Sequence, residues 1–140
     1  MSYYQIYNEQ IRDLLIRDNP NPMEICEDPV KGTTISNLAQ VAITNQHEIS
    51  DLLQLGNTNR IVNQTDKNDK SSRSHACLHL YITNNEDHHA KLTMIDLAGS
   101  ERITSSQVTN LQLQKEGSCI NKSLLALGNC ISGLVRLQNL

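Results

Sequence analysis

Leu92-Thr-Met-Ile-Asp-Leu-Ala-Gly-Ser-Glu101 is the stretch whose reading decides the fold. Leu92 to Leu97 is a nearly continuous apolar run, the pattern of a strand covered on both faces in an α/β sheet. The run ends in an acid, Asp96, and three residues later in Gly99. The carboxyl end of such a strand is where α/β proteins bind ligands. An Asp there can hold Mg²⁺ directly or through water. A Gly there presents a backbone N–H that a terminal phosphate can approach, because no Cβ blocks it.

Upstream, Ala76, Leu78, Leu80 and Ile82 alternate with Cys77, His79 and Tyr81, a period-two strand. Thr83 to Ala90 is polar enough for the hairpin loop between the two strands. The strand is preceded by Asn68-Asp-Lys-Ser-Ser-Arg-Ser-His75, which closes a polar stretch from Asn57 to Ser74 with neither helical nor strand period. Loops of that length in compact domains are usually functional or disordered. The Ser71 and Ser72 hydroxyls suit a hard cation or a phosphate oxygen, and Arg73 suits an acid. His75 reads as a structural residue at a strand start rather than as a base. His75 and His79 share one strand face but lack a third ligand, so no metal site is expected from them. His88 and His89 read as solvated loop residues.

The remaining segments complete an α/β pattern. Met1 to Asn8 is rich in β-formers, and Glu9 to Ile16 reads as a short helical or irregular exit. Asp18-Asn-Pro-Asn-Pro22 is a turn cluster. Short β pieces are expected around Met23–Cys26 and Thr33–Ile35. A helix follows, capped by Thr44 or Asn45, with Glu48 three residues after Asn45 as in a capping box and Gly56 at its exit. Ile120, Leu124, Leu127, Ile131 and Leu134 recur at helical spacing and predict an amphipathic helix from about Lys115 to Leu137.

Composition narrows the function classes. With 12 Lys+Arg against 15 Asp+Glu the formal net charge is −3, which argues against a broad nucleic-acid surface. No apolar run approaches the roughly 20 residues that span a membrane, and no signal peptide opens the chain. Cys26, Cys77, Cys119 and Cys130 form no C-x-x-C pair and read as reduced thiols of an intracellular protein. There is no Phe, no Trp and only 4 Tyr, so Leu and Ile must supply most of the core.

Five stretches, in order, resemble the kinesin motor domain. Ser2-Tyr-Tyr-Gln-Ile-Tyr-Asn-Glu-Gln-Ile-Arg-Asp-Leu-Leu15 resembles the family's S-Y-x-E-I-Y-N-E-x-I-x-D-L-L strand. Gly56-Asn-Thr-Asn-Arg60 resembles its G-N-x-x-R. Asn68 to His75 is similar to switch I, N-x-x-S-S-R-S-H, and Asp96-Leu-Ala-Gly-Ser-Glu101 to switch II. Ile120-Asn-Lys-Ser-Leu-Leu-Ala-Leu-Gly-Asn129 is similar to the start of the microtubule-facing helix. Gln64-Thr-Asp-Lys-Asn68 resembles class-eight kinesins.

The resemblance implies a microtubule-based motor with a P-loop NTPase fold: a mixed central sheet with flanking helices, and ATP and Mg²⁺ as cofactors. It implies that Ser72 ligates the Mg²⁺ of Mg-ATP and that Asp96 holds the same ion through water. Ser71 and Asn68 would lie against the γ-phosphate or the attacking water, and Gly99 would sense the γ-phosphate through its N–H. Arg73 and Glu101 would form the ion pair that closes the switches. Asn121 and Lys122 would face the switch region and the track. Microtubules are the implied partner, with a dimer partner engaged through regions outside this chain, and the implied location is the cytoplasm and its cytoskeleton. Neither nucleic acid nor a membrane is an expected partner.

The sequence also departs from the family. No G-x-x-x-x-G-K-[ST] occurs among these residues, so the phosphate cradle is missing and residues 1–140 read as the middle of a motor domain, one incomplete domain. The later H-x-P-Y-R-x-S-K-L-T-like segment is missing too. Where kinesins carry roughly G-A-x-G-x-R-L-x-E, this chain has Ile103 to Glu116, without glycine. Whether the chain is an enzyme is therefore open. These residues alone are expected to be inactive, and a non-hydrolysing kinesin-like protein that binds tubulin or a partner subunit is the alternative. A small GTPase, suggested by D-x-x-G, is disfavoured because no N-K-x-D is present.

Overall fold

In the computed structural model, residues 1–17, 19–30, 32–62, 73–83, 89–99 and 111–138 are described. Strand β1, Ser2–Tyr7, turns directly into β2, Gln10–Asp13. The turn residues Asn8 and Glu9 have φ of 51° and 62°, the left-handed pair of a two-residue hairpin. Glu9 to Ile16 is thus not a helical exit. The Asn at the first turn position, tolerant of positive φ, is the signal that the apolar spacing of Ile11, Leu14 and Leu15 obscured.

Beyond β2 the chain is shaped by one buried carboxylate. Asp13 Oδ1 accepts from the Leu15 and Ile16 amides at 2.7 and 3.2 Å, and Oδ2 from Ala39 N at 2.8 Å. Three N–H donors meet the cost of burying it. A hairpin of β3, Ile25–Asp28, and β4, Gly32–Ile35, stands apart as its own two-stranded sheet.

Helix α1, Gln46–Val62, begins as the capping box predicts. Glu48 N donates to Asn45 Oδ1 at 3.1 Å, and Thr44 N donates to Glu48 Oε2 at 2.6 Å. Gly56 does not end this helix. It sits mid-helix where the Tyr3 ring passes the backbone, and the helix runs six residues further to Val62. Asn57 to Val62, expected as loop, is helical for that reason.

β5, His75–Thr83, pairs with β1 on one side and with β6, His89–Asp96, on the other. The main sheet has the order β2-β1-β5-β6, and every pairing among the described residues is antiparallel. Alternation divides it into two faces. Tyr3, Ala76, Leu78 and Leu80 lie on the α1 face, packed with Met1, Leu14, Leu15, Ile49, Leu52 and Leu53. Tyr4, His75, Cys77 and His79 lie on the other face.

Helix α2, Leu111–Gln138, touches that second face through Ser123. It starts four residues earlier than its apolar stripe predicts, so Leu111 to Gln114 also belong to the helix. Ile120, Leu124 and Leu127 are half-buried, whereas Ile131 and Leu134 are exposed, so the stripe is covered only along its first half among the described residues. β6 likewise departs from expectation. Leu92, Met94, Ile95 and Leu97 are exposed, because β6 is the edge of the described sheet and neither of its faces is covered there.

Candidate functional site

The antiparallel pairing of β5 and β6 places Ala76 opposite Asp96. The start of one strand and the end of the other therefore meet at one edge of the sheet. Arg73, Ser74 and His75 come beside Asp96, Leu97, Ala98 and Gly99, although over twenty residues separate the two groups in sequence. Asp96 is exposed, while Arg73 and Gly99 are half-buried. Asn68, Ser71, Ser72 and Glu101 lie outside the described residues, so the expected Arg73–Glu101 pair and the hydroxyls of the loop have no structural account here.

The residue that ties this corner together is one the motif reading left without a role. Arg60, in the last turn of α1, extends its guanidinium across the junction. Its Nη1 meets Asp96 Oδ2 at 2.8 Å, Nη2 donates to the Ser74 carbonyl at 3.0 Å, and Nε donates to Ser74 Oγ at 3.4 Å. A planar fork with several fixed donors can serve all three acceptors, which a Lys could not. The rest of Gly56-Asn-Thr-Asn-Arg60 is equally occupied. Tyr3 Oη donates to Asn57 Oδ1 at 2.9 Å, and Asn59, buried, donates Nδ2 to the Leu14 carbonyl at 2.8 Å. The motif is a docking strip on which the β1–β2 unit and the β5–β6 corner are both fastened. Its sequence signal was the helical spacing of Gly56, Asn59 and Arg60, hidden because Gly56 looked like a helix end.

His75 forms the second link. Ala98 N donates to His75 Nδ1 at 3.1 Å, so Nδ1 is the acceptor and the ring proton sits on Nε2. Nε2 then donates to Ser123 Oγ at 2.8 Å, and Ser123 Oγ donates to the Ile120 carbonyl at 2.8 Å. Burial holds the His75 pKa below its ordinary value, with the nearby Asp96 charge opposing the shift, which favours the neutral ring this pattern needs.

Deeper on the same face His79 is held between two tyrosines. Its Nε2 lies 3.4 Å from Tyr4 Oη and its Nδ1 lies 3.2 Å from Tyr81 Oη. Lys91 stacks over the Tyr81 ring at 5.6 Å. Burial pushes the Tyr4 phenol strongly up and lowers His79, the latter helped by Lys91. Both shifts favour the neutral forms.

Asn121 and Lys122 are exposed on α2. Lys122 Nζ lies 3.6 Å from Glu9 Oε1, and Cys119 Sγ lies 3.4 Å from Asn8 Oδ1, so the β1–β2 turn props the front of the helix. The ion pair is solvated and worth little by itself. Among the described residues no group of three or more His, Cys, Asp or Glu side chains could hold a metal ion. No described helix is long and apolar enough to cross a membrane.

Known proteins place this architecture in one family. The family model described as the kinesin motor domain matches residues 1–139. Kinesin-like protein 5 of Schizosaccharomyces pombe is 45% identical over 96% of this chain, and kinesin-related protein 10 of Dictyostelium discoideum is 45% identical over 98%. The chain spans 16% and 12% of those two proteins. Among solved structures, a KIF14 dimer with AMP-PNP in complex with a microtubule superposes with a TM-score of 0.79 at 36% identity. It covers 99% of this chain and 42% of its own. The ADP form of KIF14 on a microtubule gives 0.78 at 34%, with the same shares covered.

Proposed function

Because this chain belongs to the kinesin motor-domain family, we propose that it forms part of a microtubule-based motor, coupling ATP binding and hydrolysis to movement along, or disassembly of, microtubules. On this reading residues 1–140 are one incomplete motor domain that contributes the nucleotide-sensing corner and the start of the track-facing helix. The observation that carries the reading is the meeting of the β5 start, the β6 end and α2 at one site, bridged by Arg60 and His75. A nucleotide-dependent displacement at Gly99 would have a short mechanical route to α2.

The roles are those that the family resemblance implies. Ser72 and Asp96 would hold the Mg²⁺ of Mg-ATP, Asp96 through water. The Asp96 carboxylate fits that task because it is exposed while Arg60 fixes its orientation. The ion, when bound, would offset phosphate charge. Asn68 and Ser71 would orient the γ-phosphate or the attacking water, the Gly99 N–H would read the γ-phosphate, and an Arg73–Glu101 pair would close the corner. Asn121 and Lys122 would face the microtubule, and the protein would work in the cytoplasm on the microtubule cytoskeleton, alone or with a dimer partner.

The test is microtubule-stimulated phosphate release by the intact protein. Glu101→Ala and Arg73→Ala should each abolish the stimulation while nucleotide still binds, and the double charge swap Arg73→Glu with Glu101→Arg should restore part of it. Microtubule binding with neither hydrolysis nor nucleotide dependence would establish instead the non-hydrolysing kinesin-like binding protein that the glycine-free segment from Ile103 to Glu116 suggests.

A further inference from the structure

We infer that His75 is a positioning residue that makes the end of β6 and the face of α2 mechanically dependent on each other. The motif reading assigned it no more than a strand start. Its ring is engaged at both nitrogens by elements from opposite sides of the site: the Ala98 amide at 3.1 Å and the Ser123 hydroxyl at 2.8 Å.

Three features make this a link rather than two separate contacts. First, a neutral imidazole has one donor and one acceptor, so the Ala98 bond dictates the tautomer and the tautomer dictates what Ser123 receives. Neither bond can be exchanged without altering the other. Second, the Ser123 hydroxyl is committed as well, because its own proton goes to the Ile120 carbonyl at 2.8 Å. The chain of donors runs in one direction, from the Ala98 amide through His75 and Ser123 to the helix backbone. Third, the relay has firm ground. His75 is buried on a strand paired on both sides, opposite Ile6 of β1. Ala98 is 5% exposed. Rotation or sliding of α2 must therefore break the Ser123 bond or turn the ring, and turning the ring releases Ala98, the neighbour of Gly99.

The link exists whatever the ligand at Gly99, and its role in coupling rests on the function proposed above. The experiment separates the two. Hydrogen exchange at the Ala98 amide is measured in the intact protein without nucleotide for Ser123→Ala and Ser123→Thr. Ser123→Ala, which removes the hydroxyl at the helix end alone, should speed Ala98 exchange about three- to tenfold, the scale of one hydrogen bond. Ser123→Thr, which keeps a hydroxyl, should remain within twofold of wild type. Ala98 exchange within twofold of wild type in Ser123→Ala would overturn the link.

The second arm measures microtubule affinity with an ATP analogue and with ADP. The ratio of the two should fall at least threefold in Ser123→Ala and in His75→Asn, which keeps an acceptor for Ala98 but does not reach Ser123. The double variant should fall no further. Multiplying effects would overturn the link. A wild-type ratio of one would refute the proposed function while leaving the exchange arm to decide the link.

Discussion

Tyr3 lies edge-on against the backbone of Gly56, so close that a Cβ at position 56 would overlap its ring, with Cε1 only 2.6 Å away. The ring has little room to retreat, because it is buried and its hydroxyl is held by Asn57.

Gly56→Ala is therefore expected to destabilise the protein although it improves an interior helix position. Propensity favours Ala by about 1 kcal/mol. Forcing a methyl group into the packed contact costs about 1–3 kcal/mol, so a net loss of up to roughly 2 kcal/mol is expected in urea unfolding. An unchanged or raised midpoint would mean that Tyr3 moves aside freely.

Arg60 divides its work unequally between its partners. Asp96 is exposed, so the ion pair itself contributes little, whereas the bonds to Ser74 are at a buried residue. Arg60→Ala should cost about 1–2 kcal/mol, and Asp96→Asn should cost well under half of that. Equal losses in denaturant titrations would place the stabilising weight on the ion pair instead.

Acidification should weaken the fold before the carboxylates titrate. His75 and His79 are both lowered in the folded state, chiefly by burial, with Asp96 opposing at His75 and Lys91 assisting at His79. The unfolded chain, with ordinary histidines near 6.5, therefore binds more protons than the folded one below about pH 7. Their contribution is complete above that pH and is lost as pH falls from about 6.5 through the lower folded-state pKa values. Unfolding midpoints measured from pH 7.5 to 5.5 should decline, and less so in His79→Gln. A flat profile would show that neither ring is held neutral.

A polypeptide of these 140 residues alone should release no phosphate from ATP, with or without microtubules. The sequence contains no G-x-x-x-x-G-K-[ST], the motif whose backbone N–H groups and Lys hold the β- and γ-phosphates. It should also bind apolar dyes, because β6 exposes Leu92, Met94 and Ile95, followed by Leu97, along an edge that is unpaired among the described residues. Steady phosphate release above a no-enzyme control would contradict the first expectation, and an absence of dye binding the second.

What was legible in the sequence depended on whether a signal was local. The capping box at Asn45 and Glu48, the alternation in β5 and the stripe on α2 each name their element without reference to anything distant. The motifs named the family. Three of the misreadings share a cause: the partner was far away in sequence. Gly56 looks like a helix end until Tyr3 is known to pass beside it. Arg60 is an ordinary last-turn cation until β6 delivers Asp96 to it. His75 is a strand start until α2 arrives. The apolar run of β6 signalled burial on both faces, and among the described residues nothing supplies the cover.

The position of β5 between two antiparallel partners has an evolutionary corollary. Because side chains alternate, adding or deleting one residue inside this strand would invert the facing of every side chain on one side of the change, sending residues such as Cys77 and His79 to the α1 side and Leu78 to the α2 side. Such a change could not be absorbed gradually. The strand therefore acts as a ruler of fixed length, and natural variation in chain length within this corner should accumulate in the connections before residue 73 and after residue 99, leaving the stretch from His75 to Thr83 free of insertions.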